Sequence, residues 1–280
     1  YNDVAGFTIA QTGGSTSVDE SGTTDTFTVV LNAQPTSNVV LTVTSSDTGE
    51  ATVNSPLTFT PANWDTPQTV TVTGVNDGSV VDGNQTSTVT VSVNDGSSND
   101  SFDPLADQTV SVTTTDNDVP GFTVAESGGS TSVNESGTTD TFTVVLNAQP
   151  TSDVLFSLTA SDATEASVTT SLTFTPANWN TAQTATVTGL NESTVDGDQT
   201  SVITISIVDA VSNDSFDPVA DQTVSVTTVD NDTAGFTVVQ SGGSTSVAET
   251  GTTDTFTVVL NAQPASDVVF AISSSDTGEA

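Results

Sequence analysis

Thr88-Val89-Thr90-Val91-Ser92-Val93 alternates apolar and hydroxyl side chains without interruption. Period-two alternation over six residues describes a strand with one face buried and one wetted. The same reading extends to either side. Phe27, Val29 and Leu31 share a face, as do Val39, Leu41 and Val43. Further strands are predicted at Phe7 and Ile9, at Leu57 and Phe59, at Val70 and Val72, and at Val110 and Val112, making seven in all. Thr on the outward face suits strand propensity and keeps the surface wettable without charge. Nothing reads as a helix. Seven short strands separated by Gly, Pro, Asn and Asp turns specify an all-β, Ig-like sandwich.

The pattern then repeats. Gly6-Phe7-Thr8 returns as Gly121-Phe122-Thr123 and Gly235-Phe236-Thr237, spacings of 115 and 114 residues. The stretch from Leu57 to Trp64 (LTFTPANW) returns from Leu172 to Trp179, and Ser98 to Pro104 (SNDSFDP) from Ser212 to Pro218. Such a period is too long for a solenoid unit and matches one sandwich domain. The expected organisation is the tail of a preceding repeat at 1–5, repeat 1 at 6–120, repeat 2 at 121–234 and the N-terminal part of a third repeat at 235–280. The sandwiches are expected to run head to tail. The chain reads as a window cut from a longer repetitive protein. Residues 235–280 alone supply too few strands to bury a core, unless another molecule completes them.

Composition narrows the chemistry. Among the 280 residues there is no Lys, Arg or His, while 35 are Asp or Glu, a formal charge of -35. Without cationic side chains, neither nucleic acid nor an anionic membrane surface is a credible partner. Lacking Cys and His, the chain has no thiol nucleophile, no Ser-His-Asp triad and no Cys or His zinc site. Carboxylate, hydroxyl and amide oxygens remain, and these are the ligands of a hard cation such as calcium.

Successive strands run in opposite directions, so strand count assigns each loop to an end of the sandwich. In repeat 1 one pole collects Glu20, Asp47, Asn76 with Asp77, Asp82, and Asp116-Asn117-Asp118. Repeat 2 supplies Glu135, Asp162, Asn191 with Glu192, Asp196, and Asp230-Asn231-Asp232. Each pair of such charges costs on the order of 1 to 4 kcal/mol at about 4 Å, and a bound calcium ion would reverse that sign. The competing reading is a general acidic coat, which predicts acids on outward strand positions, where Thr and Ser stand instead. At the opposite pole lie Asp100 and Asp103, with Asp214 and Asp217 in repeat 2. They either add ligands to the ions of the neighbouring repeat or form Asx turns. Trp64 and Trp179 sit near that pole, as packing residues or as a sugar-stacking platform. The sequons, among them Asn84-Gln85-Thr86, Asn99-Asp100-Ser101 and Asn134-Glu135-Ser136, arise by chance in so Thr- and Ser-rich a chain.

These residues together resemble the Calx-β domain, and more closely the Calx-β-like repeats of large bacterial surface and adhesin-type proteins. Val18-Asp19-Glu20 resembles the family's first element and Ser45-Ser46-Asp47-Thr48 its second. Phe59-Thr60-Pro61 leading to Val70-Thr71-Val72 resembles the third, and Asp77, Asp82 and Asp116-Asn117-Asp118 resemble the rest. The resemblance implies calcium ligands at Glu20, Asp47, Asp77, Asp82, Asp116 and Asp118. Their counterparts are Glu135, Asp162, Glu192, Asp196, Asp230 and Asp232, and Glu249 and Asp276 match in the third repeat. Asn76, Asn191, Asn117 and Asn231 depart from the family's acids, which implies one or two ions per junction. It further implies an extracellular or cell-surface protein, bacterial in origin and not an enzyme, forming the rigid shaft of an adhesin or an extracellular fibre. Its partners would be adjacent repeats and identical chains in a fibre. Two alternatives are a self-assembling filament completed by strand donation and a glycan- or protein-recognition domain. Paired carboxylates could serve a glycosidase, but here they recur in every repeat at ligand positions.

Overall fold

The computed structural model describes residues 4–278; residues 1–3 of the opening tail and 279–280 of the third repeat lie outside them. The protein is all-β apart from single turns of 3-10 helix. Repeat 1 contains β1 (Phe7–Gln11), β2 (Thr16–Asp19), β3 (Thr24–Leu31), β4 (Val39–Ser45), β5 (Ala51–Val53), β6 (Leu57–Phe59), β7 (Gln68–Gly74), β8 (Val80–Val81), β9 (Gln85–Val93) and β10 (Gln108–Thr115). One sheet has the order β1-β3-β7-β5 and the other β2-β10-β9-β4-β6. Both orders recur in repeat 2, across residues 122–229.

All seven expected strands are present, and the sandwich has nine. The added strands are β2 and β5. The opening strand splits because Gly13 and Gly14 adopt φ of 71° and 85°, a left-handed turn that Cβ-bearing residues rarely tolerate. That turn carries the chain from the first sheet to the second, where β2 pairs parallel with β10. The three-residue β5 is too short for periodicity to reveal.

The core forms where alternation placed it. Phe27, Val29 and Leu31 of β3 face Val39, Leu41 and Val43 of β4, with Phe59, Val70, Val72, Val89, Val91, Val110 and Val112, all buried. Each such side chain contributes roughly 1.5–3 kcal/mol on burial, and their sum opposes the repulsion among 35 acids that no cationic side chain offsets. Trp64 and Trp179 are partly buried against the cores of their own repeats, which agrees with the packing role. Residues 236–278 form one hairpin, Phe236–Gln240 with Phe256–Leu260. Phe236, Val239, Phe256 and Val259 remain exposed there, as expected of strands too few to enclose a core.

Strand β8 belongs to repeat 1 but pairs outside it. Val80 and Val81 lie parallel to Gln149 and Pro150 of repeat 2, and the Gln149 amide donates to the Ser79 carbonyl at 2.6 Å. Val81, only 4% exposed, packs in the core of repeat 2. The next junction repeats this: Thr194–Val195 pairs with Gln263–Pro264, and the Gln263 amide donates to Ser193 at 2.9 Å.

Candidate metal centre

Parallel pairing of β2 with β10 sets Asp19 opposite Thr115, so both strands run out at the same pole. Glu20 therefore emerges beside Asp116-Asn117-Asp118, and the Glu20 amide donates to the Thr115 carbonyl. Antiparallel β9 begins at that pole, which brings Asp82, and β7 ends there at Gly74, which brings Asp77. A close approach makes the arrangement possible: a Cβ on Gly74 would lie 2.0 Å from the Asp19 carbonyl oxygen, and one on Gly189 2.1 Å from that of Asn134. Only glycine admits this contact, which seats the strand bearing Glu20 or Glu135 against the neighbouring sheet.

The carboxylates converge. Glu20, Asp77 and Asp82 each place an oxygen within 4.8 Å of the others, and so do Glu20, Asp116 and Asp118. Glu20 is shared by the two groups. In repeat 2 a single such group joins Glu135, Glu192 and Asp232. Glu20 and Glu135 are each 1% exposed. One oxygen of each glutamate accepts a backbone amide, Asn117 N–H at 3.4 Å and Asn231 N–H at 3.2 Å. The others are less provided for. Among the described residues, buried oxygens of Glu20, Asp82 and Asp118, and of Glu192 and Asp232, have no hydrogen-bond partner. A buried polar atom left unpaired costs about 1–3 kcal/mol, more when charged.

Asp116 and Asp230 play a different part. Asp116 accepts the amides of Gly83 and Asp118 at 2.8 and 2.7 Å, and Asp230 those of Gly197 and Asp232 at the same distances. They lash the terminal segment to the loop before β9 and to its counterpart. The Asp232 and Gly197 amides hold the Asp230 carboxyl below its ordinary range.

Four of the expected ligands, Asp47, Asp162, Asp196 and Asp230, lie outside these groups. Asp47 and Asp162 are exposed. Asp47 accepts the Gly49 amide at 2.9 Å, and Asp162 accepts the amide and hydroxyl of Thr164 at 2.9 and 2.6 Å. Each closes an Asx turn. Asp196 is exposed and outside the repeat 2 group as well. Two acids missed by sequence reasoning stand nearby instead: Glu50 and Glu165, 8% and 7% exposed, each with one buried oxygen lacking a partner. They fall three residues after Asp47 and Asp162, immediately before the buried alanines Ala51 and Ala166. The repetition of Glu-Ala at that offset was the available signal.

At the other pole Asp103 and Asp217 each carry one buried oxygen without a partner. Their charged neighbours are Asp95 and Asp100, and Asp209 and Asp214, of their own repeats. Among the described residues neither Asp214 nor Asp217 joins a carboxylate group of repeat 1. Asn99 and Asn213 accept the amides of Ser101 and Ser215, which is the Asx-turn arrangement.

Burial dominates the electrostatics. It pushes the Glu20 carboxyl up to about 7, opposed in part by the Asn117 amide and reinforced by Asp77, Asp116 and Glu50. Burial likewise raises Glu50, Asp77 and Asp118, and in repeat 2 Glu135 and Glu165. The folded protein without a cation thus holds protons that the unfolded chain would have released. For Glu20 the stabilisation is fully present below the unfolded value of 4.5 and is lost as pH rises through about 7. In a chelator the melting midpoint is therefore expected to rise as pH is lowered from about 8 to about 5. A midpoint that falls across this window in differential scanning calorimetry contradicts the burial of these acids.

The donor set is oxygen only, drawn from loops, with one buried glutamate per repeat facing half-buried acids and, in repeat 1, the exposed Asp77. Such sites suit calcium, which takes six to eight oxygens in flexible geometry. No family model matches the chain, and no curated protein matches it. Among solved structures, the chain is similar to the calcium binding domain CBD12 of CALX1.1, at 15% identity over 71% of this chain and 80% of that one, TM-score 0.28. It is also similar to domains 5-6 of the S-layer protein SbsC, at 19% identity over 82% and 100% of the two chains, TM-score 0.26. Domains 1-6 of SbsC match at 15% identity over 92% of this chain and 36% of that one, TM-score 0.32.

Proposed function

We propose that this chain is a calcium-binding structural module, tandem sandwiches stiffened at their junctions into an extended shaft or fibre of a cell-surface protein. One observation carries the reading: among the described residues, buried carboxylate oxygens without partners converge at the same pole of both repeats, beside the two-residue strap (β8 in repeat 1, Thr194–Val195 in repeat 2) that pairs with the next repeat. A cation there relieves the repulsion and satisfies the oxygens together. In repeat 1, Glu20, Asp77, Asp82 and Asp118 would hold it, with Glu50 behind them; in repeat 2, Glu135, Glu192 and Asp232, with Glu165. Asp77 and Asp82 bracket Val80–Val81, so occupancy would fix both ends of the strap. The Calx-β-like order of motifs supports the same assignment, as does the recurrence of these acids in place of any distinctive recognition loop.

Small-angle X-ray scattering of the protein in calcium and in chelator at equal ionic strength tests the mechanical part. The expected result is a narrow, long distance distribution in calcium that broadens and shortens on chelation. Identical curves would remove the stiffening role.

A further inference from the structure

Leu-Asn-Ala-Gln-Pro occurs three times, at Leu31–Pro35, Leu146–Pro150 and Leu260–Pro264. The second and third copies each receive a strap: Gln149 takes Ser79–Val81 and Gln263 takes Ser193–Val195. No described segment pairs in this way with the first copy. Among the described residues the Gln34 backbone amide donates to nothing, and Gln34–Pro35 is not a strand, whereas Gln149–Pro150 is. A pocket of about 170 Å³ opens there, lined by Ala33, Pro35, Asn99 and Phe102 among others. In repeat 2 the counterparts Ala148 and Phe216 share a core with the incoming Val81.

We infer that Ala33–Pro35 is an acceptor site for the strap of another repeat of this kind, an acidic loop carrying Ser-Val-Val or Ser-Thr-Val followed by Asp. The incoming segment pairs parallel, its serine carbonyl accepts the Gln34 amide, and its second apolar residue enters the pocket. Continuity with two established junctions identifies the occupant: the same acceptor sequence holds the same kind of segment twice in this molecule. The site makes the head of repeat 1 a self-recognition surface. The inference rests on the two β bridges and not on the calcium reading.

Hydrogen exchange tests it on the full chain. In the unaltered protein the Gln34 amide is expected to exchange at least about tenfold faster than those of Gln149 and Gln263. A second copy of residues 74–85 is then joined to Tyr1 through a flexible Gly-Ser linker, which gives the strap an effective concentration in the millimolar range. Gln34 is expected to slow at least about tenfold, and to regain its fast exchange when the added strap carries the Val81→Asp change. That change lies in the appended segment and leaves the sandwich core intact. The same exchange with both added straps, or slowing that survives Val81→Asp, would overturn the inference. Repeating the measurement in chelator separates this site from the cation reading, because Gln34 protection should persist while calcium-dependent stiffness is lost.

Discussion

Chelating calcium is expected to lower the melting midpoint of the protein by on the order of 10 °C, with both repeats contributing. A ligand bound only by the folded state stabilises it in proportion to the logarithm of its saturation. With a dissociation constant of about 0.1 mM, the tighter end of the range for extracellular calcium modules, about 10 mM calcium contributes roughly 2.7 kcal/mol per ion. For a domain of about 115 residues each kcal/mol moves the midpoint by roughly 4 °C. Among the described residues repeat 1 has two carboxylate groups and repeat 2 has one, so repeat 1 should lose more. Differential scanning calorimetry at constant ionic strength checks this, because a diffuse acidic coat responds to ionic strength and a placed ion responds to calcium itself. Equal midpoints with and without calcium would dismiss a built site in favour of the coat.

How much of this was legible beforehand differs by residue. Phe27, Val29 and Leu31 were readable because alternation is the physical cause of their burial. Glu20 and Asp118 were readable because strand parity fixes the pole at which a loop emerges. Asp47 was not, since parity places a loop and not a side chain: its carboxylate turns out to cap Gly49, while Glu50 turns in. The strap was hidden for another reason. Two residues carry no period, and nothing in Val80–Val81 itself says that its partner lies some 70 residues away in another repeat. Repeat 2 also shows how a deletion was absorbed. The loop from Asn191 to Asp196 is one residue shorter than that from Asn76 to Asp82, and a glutamate stands where Asp77 did. The longer side chain still reaches the cluster, whereas Asp196 does not join it.

Replacing Glu20 by Gln should change stability in opposite directions with and without calcium, which a purely structural role for the side chain would not produce. The carboxylate is 1% exposed, flanked by Asp77, Asp116 and Glu50, and raised by burial to about 7. Gln has nearly the same shape, and its oxygen can still accept the Asn117 amide. Removing the charge is therefore expected to raise the melting midpoint of the calcium-free protein, by an amount equivalent to about 1–3 kcal/mol at neutral pH. With calcium present the sign reverses. Glu20 is common to both carboxylate groups of repeat 1, so its loss weakens every ion held there, and about 3 kcal/mol of cation-dependent stability should disappear. Calorimetric titration should show the same loss as fewer or weaker calcium sites in repeat 1, with the Glu135 site of repeat 2 unchanged. Asp47→Asn is the matched control. An exposed Asx-turn residue tolerates Asn, so neither midpoint should move appreciably. Should Asp47→Asn abolish calcium binding while Glu20→Gln leaves it intact, the centre lies on the outward loop and not among the buried acids.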